Sequence, residues 1–199
     1  MPKLLNYHRY ENFLDAETAQ KLLEYCISQE DAFRDATVND GVVTKVSIEY
    51  RKSMVLKDLG EFKDIMIRRV AEFLPDIFKK LEIVPFDIKT HELEMAAHGD
   101  GAFFREHIDT LTGDQEKTNA RTLSLVYYFH KEPKQFEGGE LSLIPFDFFP
   151  GDDKPVALAP LHNSLLVFPS FAPHEVLPVK CPDVPFPGWR FTINYWIYK

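Results

Sequence analysis

The chain has 199 residues, nearly half of them apolar and about a quarter charged, which suits one globular domain with a sizeable core. Its 23 Lys and Arg against 31 Asp and Glu leave a net charge of −8, which argues against a nucleic-acid backbone as the main partner. Only two cysteines occur, Cys26 and Cys181, without CxxC spacing, so neither a disulfide framework nor a Cys-type zinc site is expected. The N-terminus lacks the apolar stretch of a signal peptide, and no apolar run is long enough to span a membrane. The expectation is a soluble, cytoplasmic protein with no membrane partner. The many aromatics serve a core or an interface equally, so no oligomeric state is predicted.

Two helices open the chain. Asp15 offers an N-cap, with Glu17 in the first turn. Apolar residues then recur at Ala19, Leu22, Leu23, Cys26 and Ile27, at helical spacing. A second pattern runs through Leu59, Phe62, Ile65, Met66, Val70, Phe73 and Leu74. Pro75 should end or kink it, with Ile77, Phe78 and Leu81 as a short continuation. Between the helices, Val42 to Tyr50 reads as a strand. After about residue 83, short apolar runs alternate with Pro and Gly breaks. Candidate strands are 86–96, 102–109, 121–130, 140–144, 156–159, 164–168, 173–179 and 189–198. Such spacing predicts a sandwich or barrel, and helices followed by strands predict an α+β, mainly β, layout. Polar residues 112–119 read as a mobile loop beside the candidate site, and 145–155 and 181–188 as Pro- and Gly-rich loops.

Chemistry concentrates in the second half. Residues two apart on a strand share a face, so His107 and Asp109 can grip one metal ion together. His174, fixed by Pro173 at the mouth of the apolar strand through Val176 and Val179, is the natural third ligand. Two histidines and a carboxylate with open positions match non-haem Fe(II) oxygenases. The same trio can hold catalytic zinc in a hydrolase or isomerase. On the last strand Phe191, Ile193, Tyr195 and Ile197 form an apolar face, and Arg190, Thr192, Asn194 and Trp196 the other. Arg190 presents a planar fork suited to a carboxylate, with the Thr192 hydroxyl beside it. On 121–129, Thr122, Ser124 and Tyr128 share a face, and the Tyr128 hydroxyl can meet the far end of an acidic ligand. Alone, each piece is commonplace: a His-x-Asp occurs by chance in many proteins, and Gly138-Gly139-Glu140-Leu141 is only a turn opening a strand. Their order is what counts.

In that order the residues resemble the Fe(II)- and 2-oxoglutarate-dependent dioxygenases, within them the prolyl 4-hydroxylase type. The match runs from Gly99 to Thr110 through His107 and Asp109, then Arg121 to Phe129, Gly138-Gly139-Glu140-Leu141, Phe168-Pro169-Ser170, His174-Glu175-Val176, and Gly188 to Trp196. The resemblance implies a double-stranded β-helix, or jelly-roll, core over about 83–199, supported by helices in about 1–82, all one domain over 1–199. It implies Fe(II) on His107, Asp109 and His174, and 2-oxoglutarate on Arg190, Thr192 and Tyr128. Dioxygen would be the second co-substrate and ascorbate a candidate reductant. The implied reaction hydroxylates an unactivated C–H bond and releases succinate and CO2. A prolyl residue in a protein or peptide is the family default, with a free amino acid or small metabolite as alternative. A nucleic-acid demethylase fits the acidic chain less well. A catalytically silent binding module is opposed by the intact ligand set.

Two departures stand out. The family often has a tyrosine two residues before the first glycine of the Gly-x-Gly segment, and that place is Ala97, which would rearrange the pocket there around His98 or Glu94. The 181–188 connection is longer than usual, which costs little. Arg51 and residues 112–119 are candidate substrate contacts. Asp100 and Arg105 belong to a solvated edge, and Glu140, Leu141 and Trp196 to the framework.

Overall fold

The computed structural model describes residues 6–39, 44–45, 49–110, 121–145 and 154–199. Helix α1 (Ala16–Ser28) starts as its sequence dictates: the Asp15 carboxylate accepts the Thr18 amide at 2.9 Å and the Thr18 hydroxyl at 2.7 Å. It buries Ala19, Leu22, Leu23 and Cys26, one face of the turn. Helix α2 (Phe62–Leu81) is a single helix that runs through Pro75, not a helix with a separate continuation. An interior proline costs about 3 kcal/mol. Full burial of Ile77 and near-full burial of Phe78 and Leu81 beyond it offset that cost.

The larger sheet runs, in spatial order, β1 (His8–Glu11), β13 (Ser164–Pro169), β9 (Arg121–Phe129), β16 (Arg190–Tyr198), β7 (Thr90–His98), β6 (Met54–Leu56) and β2 (Arg34–Asp35). The smaller runs β12 (Val156–Leu158), β11 (Leu141–Leu143), β14 (His174–Val176), β8 (Phe103–His107) and β5 (Arg51–Lys52). Two ribbons, β10 (Glu137–Gly138) with β15 (Val179–Lys180) and β3 (Val38–Asn39) with β4 (Thr44–Lys45), complete the strands of the described residues. Their pairings are antiparallel. From β7 onward the chain passes back and forth between the sheets: β7 large, β8 small, β9 large, β11 and β12 small, β13 large, β14 small, β16 large. This winding is the expected jelly-roll.

The first 82 residues are more than a helical buttress. They also supply strands to both edges of the larger sheet and to one edge of the smaller one. Within the strand expected over 42–50, Thr44–Lys45 is strand β4 and residues 49–50 form a turn, while residues 42–43 and 46–48 lie outside the described residues.

Period two then sorts the larger sheet's side chains. Leu93, Met95, Ala97, Leu123, Leu125, Tyr127, Phe129, Phe191, Ile193, Tyr195 and Ile197 pack with α1 and α2 in the main core. The alternate residues face the smaller sheet. Among the described residues no helix is long and apolar enough to cross a membrane.

Candidate metal centre and co-substrate pocket

His107 ends β8 and His174 begins β14, and the two are direct cross-strand partners with ring centroids 4.2 Å apart. Asp109 follows two residues on, tied to the larger sheet's side by its amide, which donates to the Ser170 carbonyl at 2.9 Å. The ligand atoms of the three residues all lie within 4.8 Å of one another. His107 Nε2 is 3.8 Å from Asp109 Oδ1, and His174 Nε2 is 3.7 Å from Oδ2.

The tautomers follow from the partners. His107 Nδ1 donates to the Arg105 carbonyl at 2.8 Å, and His174 Nδ1 to the Ala172 carbonyl at 2.9 Å. A carbonyl can only accept, so each Nδ1 carries a proton, and each Nε2 is the atom left to face Asp109 and to bind a metal when the ring is neutral. Burial, and then the neighbouring His174, hold His107 below its ordinary value. For Asp109, burial pushes the carboxyl up, but His174, His107, Ser124 and Trp196 outweigh it and the net shift is down. Ser124 Oγ donates to Asp109 Oδ2 at 2.6 Å and bonds Ser170 Oγ at 2.9 Å, which fixes the carboxylate's orientation. Phe104 stacks on His107 at 3.6 Å. Two neutral imidazole nitrogens and one carboxylate on one side of a cavity suit Fe(II) with open positions.

A second group, His130, Glu132 and His162, also has its ligand atoms within 4.8 Å. Here His162 Nδ1 accepts the His130 amide at 3.2 Å, which puts the His162 proton on Nε2. Neither nitrogen of that ring is free for a metal. The Glu132 side chain is 62% exposed.

The metal candidates share one cavity with Arg190, Thr192, His98, Ser124, Asn194 and Trp196. Its empty volume is about 510 Å³, open solvent at the mouth included. Arg190 is 1% exposed, yet no carboxylate of the described residues reaches ion-pair distance of it. Burial pulls its guanidinium below its ordinary value. Its Nε, the Thr192 hydroxyl and the Tyr128 hydroxyl are all buried without a partner. Each such orphan costs about 1–3 kcal/mol, and three at one place mark a pocket built for a polar, anionic ligand. Thr192 stands directly opposite Tyr128 in the β16–β9 ladder. Tyr128 is not among the residues that line the cavity, and its ring centre lies 5.1 Å from the Arg190 guanidinium.

The fold sets two residues directly against Arg190. Gly139 has φ +72°, and a Cβ there would stand 2.7 Å from Arg190 Cδ, so the Gly-Gly turn makes room for the arginine. His98 is the residue across from Arg190 in the β7–β16 ladder, and its Nδ1 accepts from Arg190 Nη1 at 2.9 Å. Ala97 pairs with Phe191 in the helix-facing core, so the inward position belongs to His98. Parity along β7 carried this signal, anchored on its partner β16. Ser124 was legible from its shared face with Thr122 and Tyr128, and Ser170 was not.

At the rim, Arg51 pairs with Glu94 at 2.9 Å, bonds the Ser53 hydroxyl at 2.9 Å, and lies over Phe104. Arg121 pairs with Glu92 at 2.7 Å and covers Trp196 at 4.0 Å. Asp100 is structural: its carboxylate accepts the Cys181 amide at 2.8 Å and pins the start of the 181–188 connection. The Arg105 side chain donates to the Glu49 carbonyl at the exposed edge. Residues 112–119 lie outside the described residues.

The jelly-roll thus brings a His-Asp-His group into one cavity with a buried arginine that no carboxylate of the described residues reaches. Residues 93–198 match the model of the 2OG-Fe(II) oxygenase superfamily, and the chain belongs to that family. It is 34% identical over 199 residues to sll0191 of Synechocystis sp., described as an uncharacterized PKHD-type hydroxylase. That match covers 97% of this chain and 63% of the relative, so the chain spans about 63% of that protein's length. Its fold is similar to a Pseudomonas putida prolyl-4-hydroxylase, with TM-score 0.69, 22% identity, and 98% and 93% of the two chains covered. It is equally similar to a Trichoplax adhaerens prolyl hydroxylase in complex with a hypoxia inducible factor peptide fragment, with TM-score 0.69, 20% identity, and 97% and 83% covered.

Proposed function

We propose that this chain is an Fe(II)- and 2-oxoglutarate-dependent dioxygenase that hydroxylates an unactivated C–H bond of a prolyl residue in a protein or peptide. The observation that carries this proposal is Arg190: a buried guanidinium that no carboxylate of the described residues reaches at ion-pair distance, among orphaned hydroxyls, in the cavity that His107, Asp109 and His174 share. Iron bound there supplies the oxygen chemistry, in which 2-oxoglutarate, O2 and the substrate C–H become succinate, CO2 and C–OH.

The chain's own residues position and shield. His107 and His174 present Nε2, and the Arg105 and Ala172 carbonyls hold their rings in that tautomer. Ser124 holds Asp109 for the metal. Arg190 takes the distal carboxylate of 2-oxoglutarate through its planar fork, with Thr192 and Tyr128 adding hydroxyl donors. The buried strands around these groups keep water from the co-substrate. Arg51 and Glu94 stand at the rim, where the prolyl substrate enters. Ascorbate serves only to keep iron ferrous, and a reducing, cytoplasmic setting does the same.

The test is mass spectrometry of proline-containing peptides and of free amino acids incubated with Fe(II), 2-oxoglutarate and enzyme. A gain of one oxygen on peptidyl proline, absent with Asp109→Ala, is expected. A gain only on free amino acids would move the substrate to the small-metabolite class. Metal uptake with no response to any keto acid would favour the non-redox alternative.

A further inference from the structure

The anionic-ligand pocket contains a residue whose role the ligand set leaves open. His98 ends β7 directly opposite Arg190. It is 5% exposed, Arg190 Nη1 donates to its Nδ1 at 2.9 Å, and the Arg190 main chain is a further polar contact of the ring. A guanidinium can only donate, so His98 Nδ1 must be the acceptor and its proton must sit on Nε2. Burial, then Arg190 and Arg51, oppose a second positive charge there, so the ring stays neutral.

Gly139 lies against the Arg190 Cδ, and Tyr128 lies beside its guanidinium. The His98 hydrogen bond ties one Nη to a fixed point on the neighbouring strand and so helps to set the plane of the fork.

We propose that His98 is a positioning residue for the co-substrate. Its Nδ1 sets the plane of the Arg190 fork before the distal carboxylate arrives, and its Nε2–H adds a neutral donor to the wall of the same cavity. The proposal rests on the 2-oxoglutarate reading of the pocket. A fork held in place loses less freedom on binding, so loss of the bond should weaken binding of the carboxylate and leave the metal site, built on the other sheet, intact.

Asparagine and glutamine at this position separate the role from mere bulk. The Asn amide oxygen stands close to where Nδ1 stands, whereas the Gln amide oxygen reaches to the place of Nε2. His98→Asn should bind 2-oxoglutarate within about threefold of wild type, and His98→Gln about tenfold or more weaker, the loss of a hydrogen bond to a charged group. The measurement is calorimetric titration of the Fe(II) protein with 2-oxoglutarate without O2. A parallel titration of metal-free protein uses glutarate, which shares the two-ended carboxylate but lacks the keto group. Iron affinity should be the same in all three proteins. In turnover, the Gln variant should raise KM for 2-oxoglutarate and leave kcat nearly unchanged. Equal affinity for wild type, Asn and Gln variants would overturn the role of His98 and leave the oxygenase reading standing. A wild type that binds iron but neither dicarboxylate would overturn both.

Discussion

Among the described residues, two groups of two histidines and a carboxylate hold their ligand atoms within 4.8 Å of one another, and they differ in where their protons sit. In His107, Asp109 and His174, both histidines spend Nδ1 on the carbonyl two residues back and leave Nε2 for a shared ligand. In His130, Glu132 and His162, one ring spends its lone pair on a main-chain amide, and the carboxylate lies mostly in solvent. Proximity of donor atoms is therefore common, and agreement of tautomers is what makes a centre. The surroundings differ as well. The first group opens on a cavity with a buried, unpaired arginine, while the second packs its His130 ring edge-on against Phe136.

The sharpest break in this contrast is Asp109→Ala, which should drop iron binding from one ion per chain to none, read by metal analysis after dialysis. Wild-type protein holding two tightly bound ions would show the second group to be a centre too. Next in size, Arg190→Met should abolish 2-oxoglutarate binding. Because it removes a buried charge that meets no carboxylate of the described residues, it should also keep or raise the stability of ligand-free protein in denaturant unfolding. A large loss of stability would mean that the charge is compensated. Ser124→Ala removes the 2.6 Å bond to Asp109 and should weaken iron affinity about 10- to 100-fold, with the fold unchanged. The smallest effect is expected at the other cluster. His162→Ala should leave iron stoichiometry unaltered and cost within about 1–3 kcal/mol, the price of one unpaired amide.

Much of this was legible because alternation is rigid. On β16, period two assigned Arg190 and Thr192 to the cavity and Phe191 and Ile193 to the helices, as the fold bears out. On β9 the same rule put Ser124 on the inner face. On β7 the sequence leaves His98 and Glu94 as alternatives around Ala97, because a one-residue shift turns a side chain to the opposite face. Only the pairing of His98 with Arg190 fixes which is which. Strands of two to four residues, such as His8–Glu11 and Arg51–Lys52, are too short to show a period, and their place at sheet edges is set by partners far along the chain. Pro75 misled for the opposite reason: a local rule met a hydrophobic face that continued past it. The tautomers of His107 and His174, on which the chemistry turns, depend on carbonyl directions that no residue spacing records.

The central claim is that Arg190 and the His-Asp-His centre act on one co-substrate. The most direct measurement is succinate formation from 2-oxoglutarate by NMR, with Fe(II) and O2, in wild type, Asp109→Ala and Arg190→Met. Succinate from wild type alone is the expected result. Turnover at the wild-type rate in either variant, with 2-oxoglutarate at a concentration limiting for the wild type, would contradict it.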